Sequence, residues 1–445
     1  MERLFDKKQL RALIIPLVIE QVLAMTVGIA DTTMISYAGE AAISGVSLVD
    51  MINNVLIGIF AAVATGGAVI ISQYLGSRNR EKACEAAGQL LMIITLISLG
   101  IMGICLWLRQ PLLRLLFGSV EDGVMESAMT YFLLSAFSYP FLAVYNSGAA
   151  IYRSMGNSKV PMYISAAMNV INIVGNSILI FGCGLGVAGA ALATLVARMT
   201  AAVVQTVLVW QKKKPVHVSL RGIFHWNGEM IGKILTIALP NGVESGIFQG
   251  GRVVLVSIIA AFGTAQIAAN AVANSLDSMG ILGGNAMNLA MITVVGQCIG
   301  AGDMKQASDY TKKLLKITYA IIGVTCGCLL LFLNQILNIY SLSLEARELS
   351  KILVFIHNGF GMLLWPVSFT LSYSLRAAGD VKFTMVVSIF SMFAFRILFS
   401  VILGSWMGMG AVGVWLAMVL DWIFRSILFI WRFRSGKWKN FHLIG

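Results

Sequence analysis

The chain has 445 residues, of which 58% are hydrophobic and 12% are charged, and its formal net charge at pH 7 is +12. Soluble domains carry about 25% charged residues, so this composition excludes a soluble enzyme or a nucleic-acid-binding domain and indicates a polytopic membrane protein. The six cysteines form no CxxC pair and have no histidine at zinc spacing, which argues against a metal or redox centre.

Apolar runs of about 20 residues, the length that crosses a bilayer, follow one another along the chain. We expect twelve of them to form transmembrane helices, which gives an all-α fold. The first six lie near residues 13–37, 47–74, 84–107, 124–147, 160–181 and 187–210. The second six lie near residues 232–261, 268–296, 311–333, 348–374, 383–403 and 411–431. The polar stretch 211–231 predicts a cytoplasmic linker between an N-terminal lobe, 1–210, and a C-terminal lobe, 232–445.

Basic residues are divided unevenly between the breaks that separate these spans. Most of the 32 lysines and arginines fall on alternate breaks, whereas the other breaks hold only Arg109, Arg114, Arg347 and Lys351. Cytoplasmic loops are enriched in Lys and Arg. We therefore expect both termini in the cytoplasm and the protein in the plasma (inner) membrane.

The two halves of the chain repeat each other. A shift of about 224 positions aligns Pro16 with Pro240 and Glu20 with Glu244, and it aligns RSMGNSK (153–159) with RAAGDVK (376–382) after a one-residue slip. Because six spans is an even number, both halves enter the membrane in the same direction. This predicts two parallel six-helix repeats, with substrate bound between the two bundles.

Acidic residues lie inside three of these spans. Glu20 and Asp31 are three helical turns apart on one face of the first span, and Glu244 repeats Glu20 in the seventh. A carboxylate at membrane depth is costly unless it faces a polar interior, and it often marks an ion pathway. We expect Glu20, Asp31 and Glu244 to bind the coupling cation and the substrate in turn. The alternative is that buried partners neutralise them and that they only hold helices together.

The fifth span carries asparagines at helical spacing. Asn169, Asn172 and Asn176 share one face, and Asn176 lies at the same predicted depth as Asp31. A carboxylate with amide oxygens can coordinate Na⁺ or hold an exchangeable proton, so Asp31, Asn172 and Asn176 form a candidate Na⁺ site. The alternative is hydrogen bonding between helices.

Charges of opposite sign recur at matching depths in the second half. Arg252 is expected to pair with Asp277, and Asp421 is expected to pair with Arg396 or with Arg425 four residues later. Such pairs are how buried charges persist, so we assign them a structural role.

Motifs of other protein classes are missing from the sequence. It contains no GxxxxGK(S/T) phosphate loop, no HExxH or GxSxG motif and no TVGYG filter, which argues against an ATPase, a hydrolase and a channel. No cofactor is expected. His357 in the tenth span is either a proton relay or a histidine with an ordinary hydrogen bond.

The order and spacing of several segments resemble the MATE family of multidrug and toxic compound extrusion transporters. These segments are ADTTMIS at 30–36, the following GEAAISGVS, the break YRSMGNSKVPM and GLGVAGAALAT at 184–194. The resemblance implies two six-helix lobes forming a V, alternating access, and export of amphipathic organic cations against inward H⁺ or Na⁺.

The resemblance also assigns residues. Members with a cation site in the first lobe place an Asp in the first span, matched by Asp31, and an Asn followed four residues later by an Asp in the fifth. Asn172 matches the Asn, but Asn176 stands where the second Asp would be. Other members place an acid in the seventh span about eight residues after the proline. Phe248 occupies that position here, and Glu244 comes earlier.

The sequence thus predicts a monomeric antiporter that exports small organic cations across the lipid bilayer in exchange for H⁺ or Na⁺. One alternative is a flippase for a lipid-linked or polysaccharide precursor, which needs a basic cavity. The pairing of three arginines, Arg252, Arg396 and Arg198, distinguishes the antiporter from the flippase. Unpaired arginines favour anionic cargo, and arginines paired with Asp277 and Asp421 favour cationic cargo. A second alternative is a receptor or scaffold without transport.

Overall fold

The computed structural model describes residues 3–444, so residues 1, 2 and 445, which belong to the predicted lobes and termini, lie outside the described residues. Across this range the chain folds into helices, with no strand. Twelve helical segments are long and apolar enough to cross a membrane. The predicted all-α fold with twelve spans is therefore confirmed.

The helices of the first half are α1 (Lys7–Ser36), α2 (Glu40–Gly76), α3 (Arg80–Trp107), α4 (Arg109–Phe117), α5 (Asp122–Ser154), α6 (Lys159–Asn176) and α7 (Gly186–Val209). A π-helical segment, Ser177–Gly182, extends α6. The short α8 (Leu220–Phe224) lies in the linker and packs against α3.

The helices of the second half are α9 (Gly228–Ala260), α10 (Thr264–Gly280), α11 (Leu282–Gly300), α12 (Met304–Leu331), α13 (Leu333–Leu337), α14 (Leu344–Trp365), α15 (Leu371–Ala378), α16 (Val381–Ser391) and α17 (Ala411–Arg434). π-Helical segments at Pro366–Thr370, Met392–Ile397 and Ser400–Trp406 complete the tenth and eleventh spans, and a 3₁₀ turn, Lys437–Asn440, follows α17.

The halves match helix by helix at the predicted offset. α12 begins and ends 224 residues after α3, and α10 with α11 covers the same 224-residue translation of α2. The predicted parallel repeat is thus confirmed at the level of element order.

The eighth span differs from the prediction of one helix over 268–296. α10 ends at Gly280, and α11 starts at Leu282. The hydroxyl of Thr325 on α12 donates to the carbonyl of Gly280 at 2.7 Å, so a side chain takes over an acceptor that the helix ladder would use. Such insertion of a side chain into the ladder interrupts a helix.

Backbone contacts divide the chain into two units. One is Phe5–Gly242, in which α5 packs extensively against α2 and α7. A Cβ at Gly45 would lie 2.8 Å from the backbone nitrogen of Ala128, so α2 and α5 approach this closely only because position 45 is glycine. The other unit runs from Val243 onward and includes Leu4. Its core contains Trp365, Trp415 and Trp422.

Gln89 fixes the linker to the first unit. This fully buried side chain donates from Nε2 to the carbonyls of Gly222 at 3.1 Å and His225 at 2.6 Å, and its Oε1 accepts from the backbone of Asn227 at 3.0 Å.

Gln89→Leu leaves these groups without partners at a cost of about 1–3 kcal/mol. We expect trypsin to cut the linker faster in this variant, at 212–214, as followed by gel electrophoresis. Gln335→Leu, at an exposed position, serves as the control, and equal cleavage of both variants would contradict the assignment.

Candidate functional site

The first unit brings together the three residues predicted as a cation site. Asn176 on α6 donates from Nδ2 to Asp31 Oδ1 on α1 at 2.6 Å and to Asn172 Oδ1 at 3.2 Å. Asn172 in turn donates to the hydroxyl of Thr194 on α7 at 3.0 Å. We call Asp31, Asn172, Asn176 and Thr194 the N-half polar cluster. The sequence analysis missed Thr194, although it ends the GLGVAGAALAT segment.

The N-half polar cluster combines a partly exposed acid with buried amides. Asp31 retains partial exposure, whereas Asn172 and Asn176 are buried. Asn176 Oδ1 makes no hydrogen bond among the residues the structure describes. One carboxylate, two amide oxygens and a hydroxyl are the hard oxygen ligands that small cations take, so the cluster fits Na⁺ chemically. The carboxylate alone suffices to hold a proton.

A second acid adjoins this cluster. Asp50 on α2 accepts from Asn53 at 3.1 Å, and Asn53 accepts from the hydroxyl of Tyr139 at 2.7 Å. The guanidinium of Arg198 on α7 attracts both Asp31 and Asp50. Two carboxylates and one arginine therefore carry one net negative charge in this region when both acids are ionised.

The two symmetry-related glutamates each pair with an arginine. Arg153 Nη2 on α5 donates to Glu20 Oε1 at 2.5 Å, and Arg376 Nη2 on α15 donates to Glu244 Oε1 at 2.8 Å. Glu20 is 6% exposed and Glu244 is 9% exposed. Both arginines begin the repeated RSMGNSK and RAAGDVK segments, a signal that the sequence analysis noted without assigning it. This geometry favours the tie between helices over the predicted carrier role.

Asp421 holds two arginines. Its Oδ1 lies 3.0 Å from Arg425 Nε, and its Oδ2 lies 3.6 Å from Arg396 Nη1. Ser391 also donates to Asp421. Both of the pairs that the sequence left open thus form, and together they carry a net positive charge.

The expected pair between Arg252 and Asp277 is wrong. Asp277 turns toward α14, where it accepts from Asn358 Nδ2 at 3.0 Å and lies 3.3 Å from His357 Nδ1. Arg252 is exposed and lines a separate pocket. The two residues lie at matching depths along their helices but point in different directions, which depth alone does not reveal.

Known proteins resemble this chain in sequence and in fold. The MatE family model matches residues 16–178 and again residues 240–402, so the second match lies 224 residues after the first. The chain is 28% identical to the uncharacterized transporter YisQ of Bacillus subtilis over 95% of this chain and 93% of that protein. It is 26% identical to the probable multidrug resistance protein NorM of Thermotoga maritima over 98% and 93% of the two chains.

Solved structures share the fold. A MOP superfamily transporter from Pyrococcus furiosus superposes with a TM-score of 0.91 at 22% identity, covering 98% of this chain and 97% of that chain. Two matches to one family model, at the spacing of the internal repeat, span most of the sequence. The chain therefore belongs to the MatE family of multi-pass membrane transporters.

Proposed function

We propose that the chain is a secondary antiporter that exports amphipathic organic compounds, organic cations among them, in exchange for H⁺ or Na⁺. The observation that carries the proposal is the N-half polar cluster. It places the partly exposed carboxylate of Asp31 against two buried amides at membrane depth. An acid retained there without an ion pair of its own is typical of ion pathways.

The coupling follows from the charge balance of this region. When Asp31 and Asp50 are both ionised, they and Arg198 together carry one net negative charge. Binding of one small cation or one organic cation neutralises it. If the two cations stabilise different conformations, binding of one drives release of the other. Arg153 and Arg376 already neutralise Glu20 and Glu244, which leaves Asp31 as the coupling carboxylate among the three acids predicted to carry the cation.

Charge distribution supports the orientation. The breaks rich in Lys and Arg are those on the side of both termini, and the positive-inside rule assigns that side to the cytoplasm. We propose a bacterial plasma-membrane location with both termini cytoplasmic and a monomeric transporter.

One observation favours a second function, flipping of a lipid-linked or polysaccharide precursor. Arg252 has no acidic partner among the residues the structure describes and lines a pocket with Arg396, as a carrier of anionic cargo requires. Ethidium efflux from proteoliposomes under separate H⁺ and Na⁺ gradients distinguishes the two. Gradient-driven ethidium efflux supports the antiporter, and its absence under both gradients contradicts it.

Asn176→Asp is expected to increase Na⁺ binding. The substitution removes the amide group that donates to Asp31 Oδ1 at 2.6 Å and puts a second carboxylate there. Two carboxylates at this distance repel each other unless a proton or cation lies between them. We expect NaCl to raise the melting temperature of the variant relative to choline chloride, and more so than in the wild type. Asn169→Asp on the same helix is the control, and equal Na⁺ responses in both variants would sink the prediction.

A further inference from the structure

We propose that a pocket in the second unit binds the anionic group of an amphipathic organic compound. The pocket is formed by α9, α10, α17 and the π-helical segment Met392–Ile397, and its polar lining consists of Arg252, Asn270, Asn274 and Arg396. We call it the C-half basic pocket. It rests on the proposed export function for its role, and it adds a substrate class that Asp31 does not attract.

The charges around the C-half basic pocket do not cancel. Arg252 repels Arg396, and Arg425 repels it as well. Asp421 is the only carboxylate in ion-pair contact with these arginines among the described residues, and it is shared by Arg396 and Arg425. Three guanidinium groups against one carboxylate leave two positive charges, so an anion entering the pocket is attracted.

Arg252 also faces water rather than lipid. It is exposed, and it lies roughly 12 Å from the end of α9 at Ala260, at a rise of about 1.5 Å per residue. A guanidinium exposed to hydrocarbon at that depth is strongly disfavoured, and charged residues in spans face polar interiors or water-filled cavities. The pocket is therefore accessible to a dissolved ligand.

One of the two amides that line the pocket is oriented as a donor. Asn270 is buried, and its Oδ1 accepts from Trp415 Nε1 at 3.0 Å. This bond fixes the amide so that Nδ2 remains free to donate to a ligand. An ionised carboxylate or phosphate accepts only, so it matches a site built from guanidinium and amide donors.

The other wall of the pocket is apolar. Leu255, Val414, Trp415 and Met418 line it beside the two arginines. Aliphatic and aromatic walls around a few polar groups are typical of small-molecule sites. The pocket encloses about 60 Å³, which holds an anionic group such as a carboxylate beside Arg252 but not a whole amphiphile, so the apolar body of the compound lies outside this volume.

Two fluorescent probes with the same dansyl group and opposite charge test the proposal. Full-length protein in phosphatidylcholine nanodiscs is titrated with anionic dansylglycine and cationic dansylcadaverine, without any ion gradient. Losing a charge-assisted hydrogen bond weakens binding about tenfold or more. We expect Arg252→Gln to weaken dansylglycine binding about tenfold and to leave dansylcadaverine binding unchanged. Arg252→Lys should restore most of the affinity. Lys382→Gln, which removes an exposed positive charge from α16, should change neither.

Unchanged dansylglycine affinity in Arg252→Gln, or an equal loss for both probes, would overturn the proposal. Nanodiscs that contain phosphatidylglycerol distinguish a dissolved amphiphile from a lipid headgroup. If they abolish dansylglycine binding to the wild type, the pocket belongs to lipid phosphate, and the assignment to a dissolved compound is wrong. These binding measurements use no ion gradient. Dansylglycine binding to the C-half basic pocket can therefore be absent while ion-driven ethidium efflux persists, and efflux can be absent while dansylglycine binds.

Discussion

Proteoliposomes that contain Asp31→Asn are expected to lose ion-driven ethidium efflux, down to the rate of protein-free vesicles. The asparagine keeps an oxygen for Asn176 Nδ2, which donates to Asp31 Oδ1 in the wild type, so the N-half polar cluster retains its hydrogen bond. The variant has no carboxylate to take up a proton or a Na⁺ ion, so no gradient can act through position 31. Efflux is measured by ethidium fluorescence under H⁺ and Na⁺ gradients applied separately.

Asp122→Asn is the matched control, because it makes the same chemical change at an exposed acid at the start of α5. Its efflux should equal that of the wild type. Size-exclusion chromatography of both variants in detergent verifies that the protein is folded. Normal efflux by a folded Asp31→Asn variant would show that the coupling ion binds elsewhere.

Breaking either Glu–Arg tie is expected to cost about 3–5 kcal/mol of stability, because removal of one partner leaves a buried charge uncompensated. Arg376→Met leaves Glu244, which is 9% exposed, facing an apolar side chain. Arg153→Met does the same to Glu20. We expect both variants to melt well below the wild type when unfolding is followed by a thermal shift in detergent.

The double variant Glu244→Gln with Arg376→Met tests whether the loss comes from the stranded charge. It removes both charges, and replacing a buried ion pair by neutral groups is often close to neutral in stability. We expect it to recover most of the melting temperature that Arg376→Met loses. A double variant as unstable as the single one would mean that packing of the arginine, rather than its charge, holds α15 to α9.

The repeat was predictable from the sequence because a translation of the chain preserves the positions of prolines, acids and glycines. The contact between Asp31 and Asn176 was also anticipated, since both were predicted to lie at the same depth near one end of their spans. Depth fixes one coordinate of a side chain and leaves its direction around the helix open. For this reason the same argument succeeded for Asp31 and failed for Arg252, which is exposed and forms no pair with Asp277.

Two other features could not be predicted from the sequence of single helices, because they depend on residues of other helices. The break between α10 and α11 depends on the hydroxyl of Thr325, which comes from a different helix. The partners of Glu20 and Glu244 are Arg153 and Arg376, which lie near the breaks rich in Lys and Arg. In the sequence, those arginines are explained by topology alone, and nothing there connects them with acids in the spans.

The twin Glu–Arg ties bear on how the two repeated halves of this molecule differ in charge. Each half carries the same fastening between its first and fourth spans, yet around Asp31 the first half holds surplus negative charge, whereas around Arg252 the second holds surplus positive charge. Because each half has its own buried ion pair between these spans, the neighbouring polar residues do not have to hold the helices together. Opposite electrical signs can then arise on one inherited scaffold without loss of the architecture that both halves share.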